Sequence, residues 1–421
     1  MILFDGELLP DVQLEAVARD LSDYCIKTID SREITAQEVI EACASLSDRI
    51  RKGAYDELLY TLKKQGRVTE QQLQEAAALF DRKNLEYKYQ TELGGLTGGA
   101  GGGKRYYMPL GILFHIAAGN AEGLPFYSVV EGLLTGNINI LKLPSGDDGL
   151  SVFLLKELVR LKPGLSRHII VIDVPSTNKK LMQSLGQIAD AIVVWGGDDA
   201  VRAVREMAAL GTRIISWGHK LSFAYAVQNV KEEELRKLAG HICATNQLLC
   251  SSCQGIFVDT EDMAVVRALG KRFLTLLEEE SLKYPELSLE IRGKVGIALY
   301  NDELENLTSK RELLRGKGAS VTLADDHVLE ASHMFRNCWV KPLPRTKILK
   351  ALKPYRGYLQ TAGLLCHEKD RIYLEKQLLK AGVVRITGAG GMSAMAAGGA
   401  HDGEYPLRRY CRIVEVEAET G

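Results

Sequence analysis

Residues 110–118 read LGILFHIAA, and further apolar runs follow at NINILKL (137–143), HIIVID (168–173), AIVVW (191–195) and RIISW (213–217). Each is short and rich in Ile and Val. Helix-length segments lie between them: EGLLTGN (131–137), DDGLSVFLLKELVRL (147–161) and DDAVRAVREMAAL (198–210). Strands alternating with helices at this spacing predict a parallel sheet covered on both faces. In such sheets ligands bind at the carboxyl ends of the strands.

A second alternating block follows downstream: QGIFVD (254–259), a long helix near 262–282, SVTLA (320–324), CWVKPL (338–343), YLQTAGLLC (358–366) and GVVRITG (382–388). Upstream, EVIEACASLSDRI (38–50) and EQQLQEAAALF (70–80) place apolar residues at helical spacing with charges on the other face. The expected architecture is α/β. A helical region over 1–93 caps or layers the first sheet, and a Gly-rich connector covers 94–104. Two doubly wound α/β domains follow at 105–221 and 222–390. Residues 391–421 close the chain with YCRIVEVEAE (410–419), a candidate oligomerisation strand with no obvious partner nearby.

The charge balance, 53 basic against 54 acidic residues, leaves no global field to attract nucleic acid or an anionic membrane. No apolar run approaches the roughly 18 to 20 residues that span a bilayer. The start, MILFDGELLPD, lacks the basic and apolar regions of a secretory signal. A cytoplasmic protein acting on a small molecule or another protein is expected. Most of the eight cysteines are scattered singly through apolar segments, which suits reduced, buried thiols.

The run TGGAGGGKR (97–105) resembles a phosphate-cradling loop at Gly98, Gly103 and Lys104. Such a loop needs a strand before it, a helix after it and a hydroxyl after the lysine. Helical sequence precedes this one, an extended segment follows, and Arg105 takes the hydroxyl position. A connector is the better reading.

HICATNQLLCSSCQGIFVD (241–259) is the one cysteine cluster, and three readings are open. His241, Cys243, Cys250 and Cys253 are plausible zinc ligands, but a His-x-Cys pair on a helix points about 200° apart. They could instead be small buried thiols at a helix-to-strand junction. The third reading is a nucleophile: Cys250 falls in the connection between a helix and a strand, where a loop can present a thiolate to a cleft. A thiolate attacking a carbonyl or thioester carbon forms a covalent intermediate that hydride can enter or leave. Position favours Cys250 over Cys253.

The motifs PLGILFHIAAGNAEGLPF, GLLTGNINILKLPS, VVWGGDDAVR, WGHKLSFAY and NQLLCSSCQGIFV occur in the order found in the aldehyde dehydrogenase superfamily. Several resemble more closely the LuxC-type fatty acyl-CoA reductases, and GGAHDGEYPLRR (398–409) is similar to that family's closing motif. The resemblance runs from about 105 to 410. It implies Cys250 as nucleophile and Asn120 as a side-chain oxyanion donor, a kind of donor that contributes about 10² to 10³ in rate. Asn120 could otherwise cap the helix starting near Gly123. Lys142 matches the lysine that holds the adenosine ribose, unless it is simply a solvated strand end. Gly196 and Gly197 match the turn near the pyrophosphate.

Where the superfamily commonly has an acidic residue that binds the ribose 2′-hydroxyl, this chain has Ser145, so NADPH is expected and NADH is acceptable. The glutamate that activates water in hydrolytic members is missing, because the matching stretch is Ser216-Trp217-Gly218-His219-Lys220. His219 is a candidate for proton transfer, with a structural histidine as the alternative. The resemblance therefore implies reduction of an acyl-CoA or acyl-protein thioester to aldehyde through acyl-Cys250, with no metal. A homo-oligomer and an acyl-protein synthetase partner are further expectations. The rivals are a hydrolytic aldehyde dehydrogenase and a non-reducing acyl carrier.

Overall fold

The computed structural model describes residues 1–31, 33–57, 59–60, 70–96, 103–119, 123–144, 147, 149–305, 311–394 and 397–417. It divides into two compact units, Met1–Gly218 with Met395–Gly421, and His219–Ala394.

The first unit is built on the apolar runs. β1 (Ile2–Phe4) and β2 (Glu7–Leu9) begin the chain, β3 (Lys104–Pro109) follows the glycine run, and β4 (Ile112–Ile116), β5 (Ile138–Lys142), β6 (Ile169–Ile172), β7 (Ala191–Trp195) and β8 (Arg213–Trp217) complete the set. The sheet order is β2-β1-β6-β5-β4-β7-β8, with β4 to β8 parallel. The order reverses between β4 and β7, which is the switch point of a doubly wound sheet. Strands β5, β6 and β7 are buried along their whole length, as strands covered on both faces must be.

Helix Leu14–Ile29 packs Leu21 and Cys25 against Phe114, Ile140 and Ile192 on one face. Helix Ala36–Arg51, started by a Thr35/Glu38 capping box, joins helices Leu124–Leu134 and Leu150–Leu161 in a separate core cluster with Leu141 and Val171 of the sheet. The N-terminal helices are thus part of the layers of the first unit. β1 and β2 were not expected. Asp5 (φ 48°) and Gly6 (φ 84°) form the turn of a hairpin that adds antiparallel to β6 through Ile2↔Ile172.

The second unit contains β9 (Leu221–Ala226), β10 (Cys253–Val258), β11 (Arg311–Arg315), β12 (Ser320–Ala324), β13 (Asn337–Pro342), β14 (Leu359–Leu365) and β15 (Arg385–Thr387). Their order is β11-β12-β13-β10-β9-β14-β15, with only β11 antiparallel. Helices Glu232–Thr245 and Met263–Ser281 belong to one core cluster, and residues of helices Ile348–Leu352 and Glu368–Ala381 belong to another.

The closing strand β16 (Cys411–Val416) does have a partner. It pairs antiparallel with β3 from Cys411↔Pro109 to Val416↔Lys104, within the first unit. Gly103 leaves no room for a side chain there, since a Cβ would lie 2.4 Å from the Val416 carbonyl oxygen. Helix Arg82–Leu93 before the glycine run and β3 after it are the reverse of a P-loop's context. No helix among the described residues is long and apolar enough to cross a membrane.

Candidate functional site

Helix Glu232–Thr245 ends where Asn246 (φ 45°) and Gln247 (φ 62°) enter the left-handed region. Asn tolerates that conformation; Gln does so rarely. Gln247 is held there by its own buried amide. Nε2 shares its two hydrogens among the carbonyls of Cys253 (3.0 Å) and Asn337 (2.9 Å) and Ser332 Oγ (3.0 Å), while Oε1 accepts from Arg336 N–H (3.0 Å). A strained backbone persists only where its surroundings over-determine it.

Cys250 follows in the turn before β10 and is part-exposed, whereas Cys243 and Cys253 are buried. Three contacts fix it. Ser222 Oγ donates to the Cys250 carbonyl at 2.7 Å. The neighbouring Ser251 Oγ lies 2.8 Å from Ser393 Oγ. Gln360 Nε2 donates to Cys250 Sγ at 3.1 Å. The 391–394 segment is itself pinned by Arg385, whose guanidinium donates to the carbonyls of Gly391, Met392 and Ala394. Leu248 and Leu249, which directly precede Cys250 in the chain, remain 37% and 36% exposed.

The other members of the cluster have separate engagements. Burial pushes the Cys253 thiol up to about 12. Cys243 Sγ sits 3.4 Å from Ser281 Oγ. His241 Nε2 faces the Cys253 N–H at 3.4 Å, and burial, with the charge of Arg385, brings its pKa down to about 4. Among the described residues, no group of three or more His, Cys, Asp or Glu side chains could hold a metal ion.

The general placement of ligands at carboxyl ends does not hold for this thiol. Cys250 precedes β10, and its contacts Ser222 and Gln360 are each the second residue of their strands, so the cluster occupies the amino-terminal edge of the second sheet. The reason is local. The thiol is delivered by a helix-to-strand connection rather than by a strand-to-helix one.

In the first unit the expected residues do lie at carboxyl ends. Lys142 ends β5 and is 5% exposed, not the solvated strand end that was the alternative. No hydrogen bond or ion pair among the described residues reaches its ammonium. Burial lowers its pKa, opposed by the carboxylate of Asp173. Gly196 and Gly197 connect β7 to helix Asp198–Met207, and a Cβ built on Gly197 would meet nothing within 4 Å. A buried cation with no hydrogen-bond or ion-pair partner among the described residues, and an open glycine turn at the edge of a doubly wound sheet, could hold a dinucleotide. Asn120 and Ser145 lie outside the described residues. The N-cap of helix Leu124–Leu134 is Gly123, not Asn120.

Ser216 is in β8, with its carbonyl accepting from Arg409 (3.5 Å), and His219 is exposed in the loop leading to β9. The closing motif contributes His401, whose ring lies 5.2 Å from Trp195 and 5.0 Å from Trp217 at the ends of β7 and β8. Sequence reading named neither Ser222 nor Gln360. Each contacts Cys250 across more than a hundred residues or nearly thirty, and no local pattern announces them.

A parallel doubly wound unit, followed by a second that presents a thiol, defines a dehydrogenase-like architecture. Known structures agree. Δ-Pyrroline-5-carboxylate dehydrogenase from Mycobacterium tuberculosis superimposes with a TM-score of 0.69 at 14% identity, covering 96% of this chain and 84% of that one. Lactaldehyde dehydrogenase gives 0.69 at 15% identity, covering 96% and 91%. The fold is that of the aldehyde dehydrogenases. The chain belongs to the acyl-CoA reductase (LuxC) family, which matches residues 32–413. Similar curated proteins are the long-chain acyl-protein thioester reductases of Aliivibrio fischeri, 26% identical over 326 residues, and Vibrio harveyi, 25% identical over 317. The matches cover 73% of this chain but only 64% and 65% of those proteins, so the chain spans just under two thirds of their length.

Proposed function

We propose that this protein reduces an acyl thioester, an acyl-CoA or an acyl-protein with a fatty acyl chain, to the aldehyde, with Cys250 carrying the acyl group and NADPH as reductant. The observation that carries the reading is the part-exposed Cys250 thiol, in a hydrogen-bonded turn with an amide donor on its sulphur. Membership of the acyl-CoA reductase family supports it, as do the thioester reductase names of the similar proteins. Leu248 and Leu249, the two residues before Cys250, offer exposed apolar surface, which suits a long acyl chain.

Lys142, Gly196 and Gly197 would hold the dinucleotide, with Ser145 in place of a carboxylate that would repel a 2′-phosphate. When bound, a reduced nicotinamide supplies hydride. The Cys250 thiolate attacks the thioester carbon, a new C–S bond forms, and the donor thiolate departs and takes up a proton. After reduction of the acyl carbon, Cys250 is the leaving group and the aldehyde is released. Asn120 and the Cys250 N–H are the proposed donors to the carbonyl oxygen, and His219 a proposed proton carrier. A synthetase that supplies the acyl group is the proposed partner, and a homo-oligomer the proposed assembly.

The test mixes acyl-CoAs of increasing length with NADPH, following absorbance loss and aldehyde release. Without NADPH, intact mass should show one acyl group on the wild type and none on Cys250→Ala, while Cys253→Ala keeps substantial activity. Rapid release of free acid by the wild type without cofactor would contradict the reading. Ser145→Glu should weaken use of NADPH more than NADH, and an unchanged preference would remove Ser145 from the ribose site.

A further inference from the structure

The two strands that flank β9 are irregular at the same level. Between β9 and β10 the pairing steps from Cys253↔Ser222 to Ile256↔Ala224, and between β9 and β14 from Leu359↔Leu221 to Ala362↔Phe223. In both cases the flanking strand uses three residues where β9 uses two. Each is a bulge, and bulges re-aim side chains. The Ser222 hydroxyl takes the place of the disturbed ladder, accepting from Thr361 N–H at 3.0 Å and donating to the Cys250 carbonyl at 2.7 Å.

The bulge in β14 decides where Gln360 goes. Strict alternation would place Gln360 on the face of Ala362 and Leu364, in the cluster with Phe223 and Tyr225. Leu359 occupies that cluster instead. Gln360 is turned out of it, is only 6% exposed, and its amide reaches Cys250 Sγ at 3.1 Å. A thiol sulphur is a weak acceptor, whereas an ionised acceptor makes a hydrogen bond roughly twice as strong as a neutral one. An amide donor therefore favours the thiolate. Unlike an acid, it cannot protonate it.

We propose that Gln360 is a catalytic residue, donating to the Cys250 thiolate when it attacks the thioester and again when it is expelled from the reduced acyl group. This rests on the reading of Cys250 as the acyl-carrying nucleophile. Around the turn, the preceding helix contributes His241, held neutral by burial, and Lys237, paired with Glu233 and Glu234. β15 contributes Arg385, whose guanidinium is taken up by three carbonyls.

The test uses the full chain and measures the rate at which iodoacetamide modifies Cys250 against pH, by peptide mass spectrometry, in wild type, Gln360→Met and Gln360→Glu. Loss of the donor in Gln360→Met should move the midpoint up by about one pH unit and slow modification at pH 7 about tenfold. Gln360→Glu, which sets a like charge against the thiolate, should move it at least as far. It remains decisive should the methionine variant fail to fold. An unmoved midpoint in a folded variant overturns the proposal, even if wild-type Cys250 takes up acyl groups from acyl-CoA. A moved midpoint together with no acyl-Cys250 in the wild type leaves the contact real but overturns its catalytic role, because the reading of Cys250 itself has then failed.

Discussion

Cys250 and Cys253 carry the same thiol in different surroundings. Cys253 is buried with its pKa pushed up to about 12, so it has almost no thiolate at pH 8, while Cys250 is part-exposed with an amide on its sulphur. Under native conditions at pH 8, iodoacetamide should modify Cys250 at least tenfold faster than Cys253; comparable rates would show that burial is not protecting Cys253. Lys142 makes a different prediction. Its pKa is lowered by burial, so the folded state holds this proton less tightly than the unfolded chain does. The resulting penalty is fully present at neutral pH and is relieved only as pH rises from the lowered value towards 10.5. Lys142→Met should therefore melt no lower than wild type at pH 7, yet bind NADPH at least tenfold more weakly by equilibrium titration. A lower melting temperature would mean that the ammonium has a stabilising partner. Ser216→Glu, in β8, should speed hydrolysis of acyl-Cys250, followed by intact mass; an unchanged rate would show that this position does not meet the thioester.

At the level of elements, the apolar runs were legible as strands because burial on both faces demands continuous Ile, Leu and Val. LGILFHIAA, NINILKL and AIVVW became β4, β5 and β7. What could not be read was the polar network inside them. His115 of β4 sits 2.7 Å from Ser128 Oγ and 3.0 Å from Asn139 Oδ1, and Trp195 Nε1 donates to Ser128 Oγ at 3.0 Å. The Asn139 amide nitrogen donates to the Asn137 carbonyl, so Oδ1 accepts and His115 Nε2 carries the proton. Gly132 makes room for this, because a Cβ there would lie 1.8 Å from Asn139 Oδ1. Gly132→Ala should displace Asn139 and cost about 2 to 4 kcal/mol in urea unfolding. A cost below about 0.5 kcal/mol, within the scatter of surface substitutions, would show that the network can shift freely. The bulges in β10 and β14 were equally hidden. Alternation in QTAGLL places Gln360 on the wrong face, and only the register with β9 corrects it.

For the whole molecule, three buried histidines weaken the fold towards acid. Burial lowers His115, His168 and His241 each to about 4 from 6.5, with Arg167 adding to the effect at His168 and Arg385 at His241. Between pH 6.5 and 4 the unfolded chain binds these protons and the folded one does not, so stability falls as pH falls through that window, by about 3 kcal/mol per histidine. Urea unfolding at pH 7, 6 and 5 should show this slope, and His115→Gln should reduce it by about one proton; an unchanged slope would exclude His115 as a source. The sequence by itself determined the α/β class, the strands β4 to β8, β10 and β12 to β15, though not β1, β2, β9 or β11, and the placement of Cys250 in a helix-to-strand connection, because periodicity and turn composition are local properties. The family resemblance pointed to Lys142, Gly196 and Gly197, and the structure puts them at the carboxyl ends of β5 and β7. Tertiary structure alone decided that β16 pairs with β3, that the Asp5-Gly6 hairpin extends the first sheet, and that Ser222, Gln360 and Ser393 gather around the Cys250 turn. These depend on which strands become neighbours and in what register, and that is fixed by the packing of residues far apart in the chain.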